Sequence, residues 1–478
     1  MTKFYSLTTT LPYVNADPHV GFALEIVQAD CIARWYRQQG YDVIFNTGTD
    51  EHGSKIWQKA QEAGKDVKAY VDEYAAKFAD LQQALNLSYN RFIRTTDDKH
   101  VTAAQEFWRR CDANGDIYKK QYEVKYCVGC ELEKTDSELV DGHCPLHPKT
   151  EIELIAEENY FFRFSKYQEP LLKLYETQTD FVVPSTRLHE IKSFVAQGLQ
   201  DFSISRLKSK MPWGIAVPGD DTQVMYVWFD ALVNYISTLN WPQDEAGEYA
   251  QYWPGTQVAG KDNLRQQAAM WQAMLLSAGL KPSQQIFIHS FLTSGGQKMS
   301  KSLGNVINPF DVVREFGTDA LRYWILREAN PYEDSDITME SFKEAYNAGL
   351  ANGLGNLVSR VLTMAKNNNV AIPSKREANE EQVARLATSL ANFQFQEAMT
   401  ALWETIAELD RTIAETEPFR LVKTDAAAGG AIISGLLGEL RVLADLLVPF
   451  LPGTAEKIQT ALSGEFVTEV PQLFPRKS

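Results

Sequence analysis

Lys298 and Lys301 stand three apart on a segment that begins Ser294-Gly295-Gly296-Gln297, with Met299 and Ser300 between them and Ser302 after. Two cations on a glycine-hinged loop can close over a polyphosphate and neutralise charge developing on a departing pyrophosphate. Near the N-terminus, Pro18-His19-Val20-Gly21 precedes a helical pattern. A glycine there lets an anion approach the backbone, the helix N-terminus favours negative charge, and His19 can donate to a phosphate oxygen. Taken alone, that turn reads rather as a helix cap, whereas for the lysines an exposed basic loop is much the lesser reading. The third group is Cys127-x2-Cys130-x13-Cys144-x2-His147. Two knuckle-type pairs at this spacing match a four-coordinate zinc (Zn) site of three thiolates and one imidazole. Protein fills all four positions, so the expected zinc is structural and folds a small insertion without a core of its own.

These groups need elements to carry them. Phe4 to Thr10 is β-rich, and Ile26, Ala29, Ala33 and Tyr36 then recur at helical spacing, with Gly40 placed to end the helix. Val43-Ile44-Phe45 is a continuous apolar run suited to a buried parallel strand. From about Asp116 short β-like pieces surround the cysteines. The α/β pattern resumes at Val224 to Phe229 and continues through a strand at Gln257 to Gly260, a helix around Leu264 to Ala278, and a strand at Gln285 to His289. The expected fold class is α/β: one doubly wound parallel sheet interrupted by an inserted domain, then an all-α bundle broken at Pro373, Pro418, Pro449 and Pro452. No G-x-G-x-x-G follows the first strand, which disfavours a dinucleotide site.

Composition excludes several classes. Lys+Arg 47 against Asp+Glu 62 gives a net charge of −15, which rules out a uniformly basic nucleic-acid sleeve but not a local basic face. With 11% aromatic and 23% charged residues the chain is not disordered. It has no apolar run of about 18 residues for a membrane span, and Met1 to Thr10 lacks an export pattern. The expected compartment is the cytoplasm. Of the five cysteines, Cys31 and Cys111 lie in helical patterns and read as buried thiols.

His19-Val20-Gly21 followed far downstream by Lys298-Met299-Ser300-Lys301-Ser302 resembles the HxGH and KMSKS pair of class I aminoacyl-tRNA synthetases. Thr47-Gly48-Thr49-Asp50-Glu51-His52-Gly53, Tyr226-Val227-Trp228-Phe229-Asp230-Ala231 and Gly260-Lys261-Asp262 are similar to the methionine-specific branch, and the likeness covers essentially the whole chain. The resemblance implies a Rossmann-like catalytic domain in two halves (1–115 and 224–292) and a connective insertion bearing the knuckle (116–223). It also implies a KMSKS and stem-contact region (293–345) and an α-helical anticodon-binding domain (346–478). It implies ATP with Mg, L-methionine and tRNA(Met) as partners, adenylate formation followed by transfer to the tRNA 3′ end, and no membrane partner. His19, Lys298 and Lys301 would be catalytic; these three with Gly21, Gly260 and Asp262 would bind ATP. Asp50 would hold the α-ammonium, with Leu11, Tyr13, Trp228, Ala231, Tyr235, Gln267 and Trp271 around the thioether side chain. Asn356, Arg360 and Phe419 would contact the anticodon, Phe419 by stacking.

Besides Phe419, which stands where the family uses a tryptophan, the chain departs from the family pattern at three positions around the catalytic site. Phe22 replaces the second signature histidine, Asn263 an aliphatic residue, and Gln267 a histidine near the methionine side chain. Trp271, Asp50 and Tyr13 remain, so a divergent subgroup with the same substrate is expected. Two rivals are a class I synthetase with a retuned pocket and a non-catalytic tRNA-binding paralogue, the latter encouraged only by Phe22. The stretch between Asp116 and Val224 is too short for the editing insertion of the isoleucine, valine and leucine enzymes. The chain stops soon after the bundle, and a monomer is expected.

Overall fold

Val43, Ile44 and Phe45 are all buried, as a strand covered on both faces requires. Their strand, Tyr41–Thr49, pairs in parallel with Lys3–Thr9 on one side and Arg91–Arg94 on the other. Gly48 permits the second pairing, because a Cβ there would sit 1.7 Å from the Ile93 carbonyl oxygen. Beyond Lys3–Thr9 the sheet continues through Thr256–Gly260 and Gln285–His289 to Val182–Val183, six strands in all. The result is a Rossmann-like, doubly wound α/β sheet. Its strand order is not the chain order, as crossovers between parallel strands demand.

The protein is described here from a computed structural model covering residues 3–299, 304–374 and 378–477; Lys301 lies outside the described residues. The chain forms two compact units. One gathers Met1–Pro18, Tyr41–Asp80 and Tyr89–Ile288, the other His19–Gly40, Leu81–Ser88 and His289–Ser478.

In the first unit one large apolar cluster runs from Ile44 through the helix Asp98–Ala113 (Phe107, Trp108, Cys111) to Trp271 and Met274. The strands Ile117–Cys127 and Glu153–Phe162 form a long antiparallel ladder, flanked by Leu132–Lys134 and Phe202–Ser203 in a four-stranded sheet. The segment expected to resume the parallel pattern at Val224 does not join the large sheet. Asp220–Met225 pairs antiparallel with Ala216–Val217 and Ser205–Leu207 in a separate three-stranded sheet, and Val227–Ala231 is a short helix. The expected helix around Leu264 to Ala278 is also irregular: a 3₁₀ turn at Lys261–Asn263, a π turn at Gln266–Met270, and α-helix only over Trp271–Ser277. Cys31 and Cys111 are fully buried, and burial raises the Cys111 thiol to about 12.

The second unit holds the helix Val20–Gln38 and the C-terminal helices, where Pro418 and Pro452 occupy first-turn positions. A missing N–H costs nothing there. At its centre the Arg322 guanidinium, with no exposed surface, donates to the carbonyls of Phe450 (2.8 Å), Pro449 (3.0 Å) and Leu85 (3.2 Å), and pairs with Asp30 at 2.8 Å. Among the described residues no helix is long and apolar enough to cross a membrane.

Candidate active site and metal centre

Parallel strands deliver side chains to their carboxyl ends, and Asp50 follows the end of Tyr41–Thr49. The segment Pro12–Val14 lies beside it: Asp50 N–H donates to the Pro12 carbonyl (3.0 Å) and Val14 N–H to that of Asp50 (3.2 Å). Asp50 is 3% exposed; its carboxyl accepts the His52 backbone N–H, while Oδ1 has no partner among the described residues. Burial, then the negative Asp230, raise its pKa well above the carboxylate range. Asp230 is itself kept ionised. Burial opposes this, but the His52 ring (Nδ1 to Oδ2, 3.0 Å) and His100 hold its carboxyl below the ordinary value. A buried carboxyl with a free oxygen beside a fixed anion is an acceptor waiting for a cation.

Tyr13 and Trp228 pack against one cluster with Tyr126, Tyr226 and Val227. Tyr13 Oη and Trp228 Nε1 are buried donors without partners among the described residues. Tyr235 and Trp271 meet edge to face at 5.9 Å, with Trp271 stacked on Phe107 at 5.3 Å. Gln267, on the π turn, donates to Tyr235 Oη at 2.7 Å. Ala231 is buried and Leu11 half-buried. Gly260 ends its strand buried, and Asp262 is exposed on the following 3₁₀ turn.

In the second unit His19 caps the helix Val20–Gln38, its Nδ1 accepting the Gly21 N–H at 3.1 Å. Nε2 therefore carries the proton and is the donor. The glycine is needed for the ring rather than only for a ligand, because a Cβ at Gly21 would lie 2.8 Å from His19 Cε1. His19 is exposed, yet the loss of water from one side of its ring where the chain crowds it, then the Lys298 ammonium, lower its pKa, which favours a neutral imidazole. Phe22 is half-buried in the first turn of that helix. Lys298 lies on an antiparallel hairpin whose turn residues Gly295 (φ 63°) and Gly296 (φ 71°) are both left-handed, the conformation a two-residue turn of this hand requires. Asp336 pins that turn by accepting from Gly296 N–H (2.8 Å) and Thr293 Oγ1 (2.7 Å). The Lys298 side chain is exposed.

The four knuckle residues converge, their ligand atoms all within 4.8 Å of one another. Cys130 and Cys144 Sγ are 3.9 Å apart, and Cys127 Sγ lies 3.8 Å from His147 Nδ1. Arms of ~2.3 Å in a tetrahedron give edges of roughly 3.8 Å, so the set can hold a metal ion. A Cβ at Gly129 would strike the His147 ring at 2.4 Å. The knuckle is tied to the Asp50 segment: buried Glu131 accepts the Lys55 N–H at 3.0 Å and the Tyr126 hydroxyl, and Lys55 Nζ donates to the Gly129 carbonyl at 3.1 Å.

Asn356 and Arg360 share the helix Asn356–Asn367, one turn apart; Arg360 pairs with Asp410 at 2.8 Å. Phe419 is 39% exposed, with the Arg420 guanidinium 5.6 Å from its ring centre.

Two features of the site were not read from the sequence. Arg206 is buried, its guanidinium 4.4 Å from the Tyr226 ring centre and 5.1 Å from that of Tyr126, donating to Ser203 Oγ (2.7 Å) and the Ser205 carbonyl (2.8 Å). The second is the His52–Asp230–His100 group, closed by His100 Nδ1 to Ser237 Oγ at 3.0 Å. Neither has a local spacing; each is assembled from distant stretches.

A family model for class I tRNA synthetases (M) matches residues 5–153 and 146–362. The methionine--tRNA ligase of Thermosynechococcus vestitus is 43% identical over 96% of this chain and 90% of its own length. That of Mesorhizobium japonicum is 40% identical over 96% and 91%. The structure of Mycobacterium tuberculosis methionyl-tRNA synthetase in complex with methionyl-adenylate superimposes with a TM-score of 0.89 at 37% identity, covering 100% of this chain and 99% of that one.

Proposed function

The chain belongs to the methionine--tRNA ligases of class I, and on that premise we propose how its own residues divide the work. The reaction activates L-methionine with ATP to methionyl-adenylate, then transfers the methionyl group to the 3′ end of tRNA(Met). Asp50 binds the α-ammonium; the partnerless Asp50 Oδ1, buried beside the ionised Asp230, is the observation that carries this reading. An arriving ammonium restores the Asp50 charge that burial suppresses, and a fixed carboxylate in turn orients the methionine carboxylate for in-line attack. Tyr13, Leu11, Trp228, Ala231, Tyr235, Gln267 and Trp271 take the thioether side chain. Gly260 and Asp262 take the ribose, a carboxylate suiting paired hydroxyls.

His19 donates its Nε2 proton to a phosphate oxygen, and Lys298 neutralises the departing pyrophosphate; Lys301, placed here by its motif, shares that task. Magnesium entering with ATP supplies further charge neutralisation. The protein acts by positioning and charge, so no nucleophile of its own is required. Asn356, Arg360 and Phe419 read the anticodon, Arg360 by exchanging its hold on Asp410 for a base or phosphate. The protein works in the cytoplasm as a monomer, with the domain boundaries 1–115, 116–223, 224–292, 293–345 and 346–478.

Pyrophosphate exchange with each of the twenty amino acids tests the assignment. Methionine alone is expected to support rapid exchange, and strong exchange with any other would overturn it. In the same assay Lys298→Ala is expected to lower kcat about thirtyfold with little change in methionine KM, since one transition-state cation is lost while another remains. An equal rise in methionine KM with kcat intact would place Lys298 elsewhere.

At the knuckle we propose one structural zinc, held by Cys127, Cys130, Cys144 and His147, because thiolates with an imidazole suit that ion. Cys144→Ser is expected to reduce bound zinc from one per chain to near zero and to open the 127–147 segment to trypsin. Full zinc content and unchanged digestion would refute this.

A further inference from the structure

Gln267 belongs to a closed set of buried polar side chains: Gln257 is 1% exposed, Gln267 1%, Gln272 0%, Ser283 2% and Tyr235 2%. They come from the short helix Asn234–Ser237, the strand Thr256–Gly260, the π turn, the helix Trp271–Ser277 and the approach to the strand Gln285–His289. An amide can face a neighbour with either its oxygen or its nitrogen, so each orientation must be fixed by something that cannot turn over.

Two backbone groups do this. The Ser283 N–H lies 2.9 Å from Gln272 and can only donate, so Gln272 presents Oε1 there. Its Nε2 then donates to the Gln267 carbonyl (2.8 Å), which can only accept, and to Ser283 Oγ (3.1 Å). Having accepted, Ser283 Oγ gives its single proton to Gln257, 2.6 Å away, so Gln257 presents Oε1. Gln257 Nε2 must donate onward to Gln267 Oε1 at 3.2 Å, and Gln267 Nε2 to Tyr235 Oη at 2.7 Å. Every bond in the chain runs one way. Tyr235 Oη receives at its end, and its own proton is directed away from Gln267.

We propose that Gln272, Ser283 and Gln257 are positioning residues for side-chain specificity: through Gln267 they fix Tyr235 as a donor toward the bound amino acid. The proposal rests on the methionine pocket assigned above. A donor rewards a sulfur lone pair and gains nothing from a methylene, so the relay separates methionine from its hydrocarbon isostere norleucine. Were the relay free to reverse, Tyr235 would donate to Gln267 Oε1 and offer the ligand a lone pair, to which a thioether has nothing to give. Gln267 makes such a reversal feasible, since an amide both donates and accepts.

The test is pyrophosphate exchange by the full chain with L-methionine and L-norleucine. Ser283→Ala and, independently, Gln257→Met, which keeps volume without polarity, are expected to reduce the methionine-to-norleucine ratio of kcat/KM about tenfold, one hydrogen bond's worth. Most of the change should be a rise in methionine KM. Ser283→Thr, which keeps the hydroxyl, should hold the unmodified ratio. Equal losses for both substrates would mark a merely structural role and overturn the proposal, as would an unchanged ratio in either variant. If the unmodified chain itself failed to activate methionine, the pocket assignment would fall, and the relay with it. Normal activation with an unmoved ratio would strike the relay alone.

Discussion

Asp50→Asn is expected to lower kcat/KM for methionine in pyrophosphate exchange about a thousandfold, or ~4 kcal/mol, the cost of leaving a buried ammonium without its counter-charge. The substitution keeps the shape and the acceptor for the His52 N–H, so the loss reports charge rather than collapse. Stability should move the other way. Burial and Asp230 raise the Asp50 pKa above its unfolded value. Its contribution to stability is therefore full below the ordinary carboxylate pKa and lost as pH rises through the raised one. At neutral pH the ligand-free variant should melt above the unmodified protein, while methionine should raise the melting temperature of the latter only. A variant that lost activity and melted lower without ligand would mean Asp50 is structural.

The largest expected effect on stability belongs to Arg322. Arg322→Ala leaves three carbonyl acceptors unpaired in a buried site and Asp30 with only Arg34 and Ser88 as partners, and should cost about 3–5 kcal/mol in urea denaturation of the second unit. Arg322→Lys should recover little, because a point ammonium cannot span Asp30 and the carbonyls of Leu85, Pro449 and Phe450 together. The pH dependence has a definite sign. Burial would raise the Asp30 pKa, but Arg322, Arg34 and Ser88 depress it overall. Its contribution is thus present above the unfolded carboxylate pKa of about 3.9 and lost as pH falls through the depressed value. The gap between the unmodified protein and the Arg322→Ala variant should hold above about pH 4 and narrow only as the medium is acidified below it. A gap below 1 kcal/mol at neutral pH would show that water or Arg34 replaces the guanidinium.

Much of this arrangement was legible in the residues. A run such as Val43-Ile44-Phe45 has few places to go except a sheet covered on both faces, and the strand Gln285–His289 fell where its pattern put it. The four knuckle ligands converge because both pairs are local and their spacing limits the geometry. Val224-Met225 was misplaced for the opposite reason. A short apolar run does not say which sheet will accept it, and this one went to a separate antiparallel sheet. The π turn at Gln266–Met270 leaves no trace in periodicity, and Arg206, Asp230 with its two histidines, and the relay through Ser283 depend on distant segments meeting. Gly21 was read as room for a ligand; its N–H is already taken by His19. Spacing reveals chemistry carried by one stretch of chain, and conceals chemistry divided among several.

The pairing of Lys3–Thr9 with Thr256–Gly260 also has a bearing on biogenesis. On the ribosome the leading strand can find Tyr41–Thr49 early, but its other edge stays bare until most of the first unit has been translated. Contacts so distant along the polypeptide fold slowly, and an unfinished parallel sheet invites association with other nascent chains. Production of this protein should therefore be more sensitive to chaperone supply during synthesis than its finished stability would suggest.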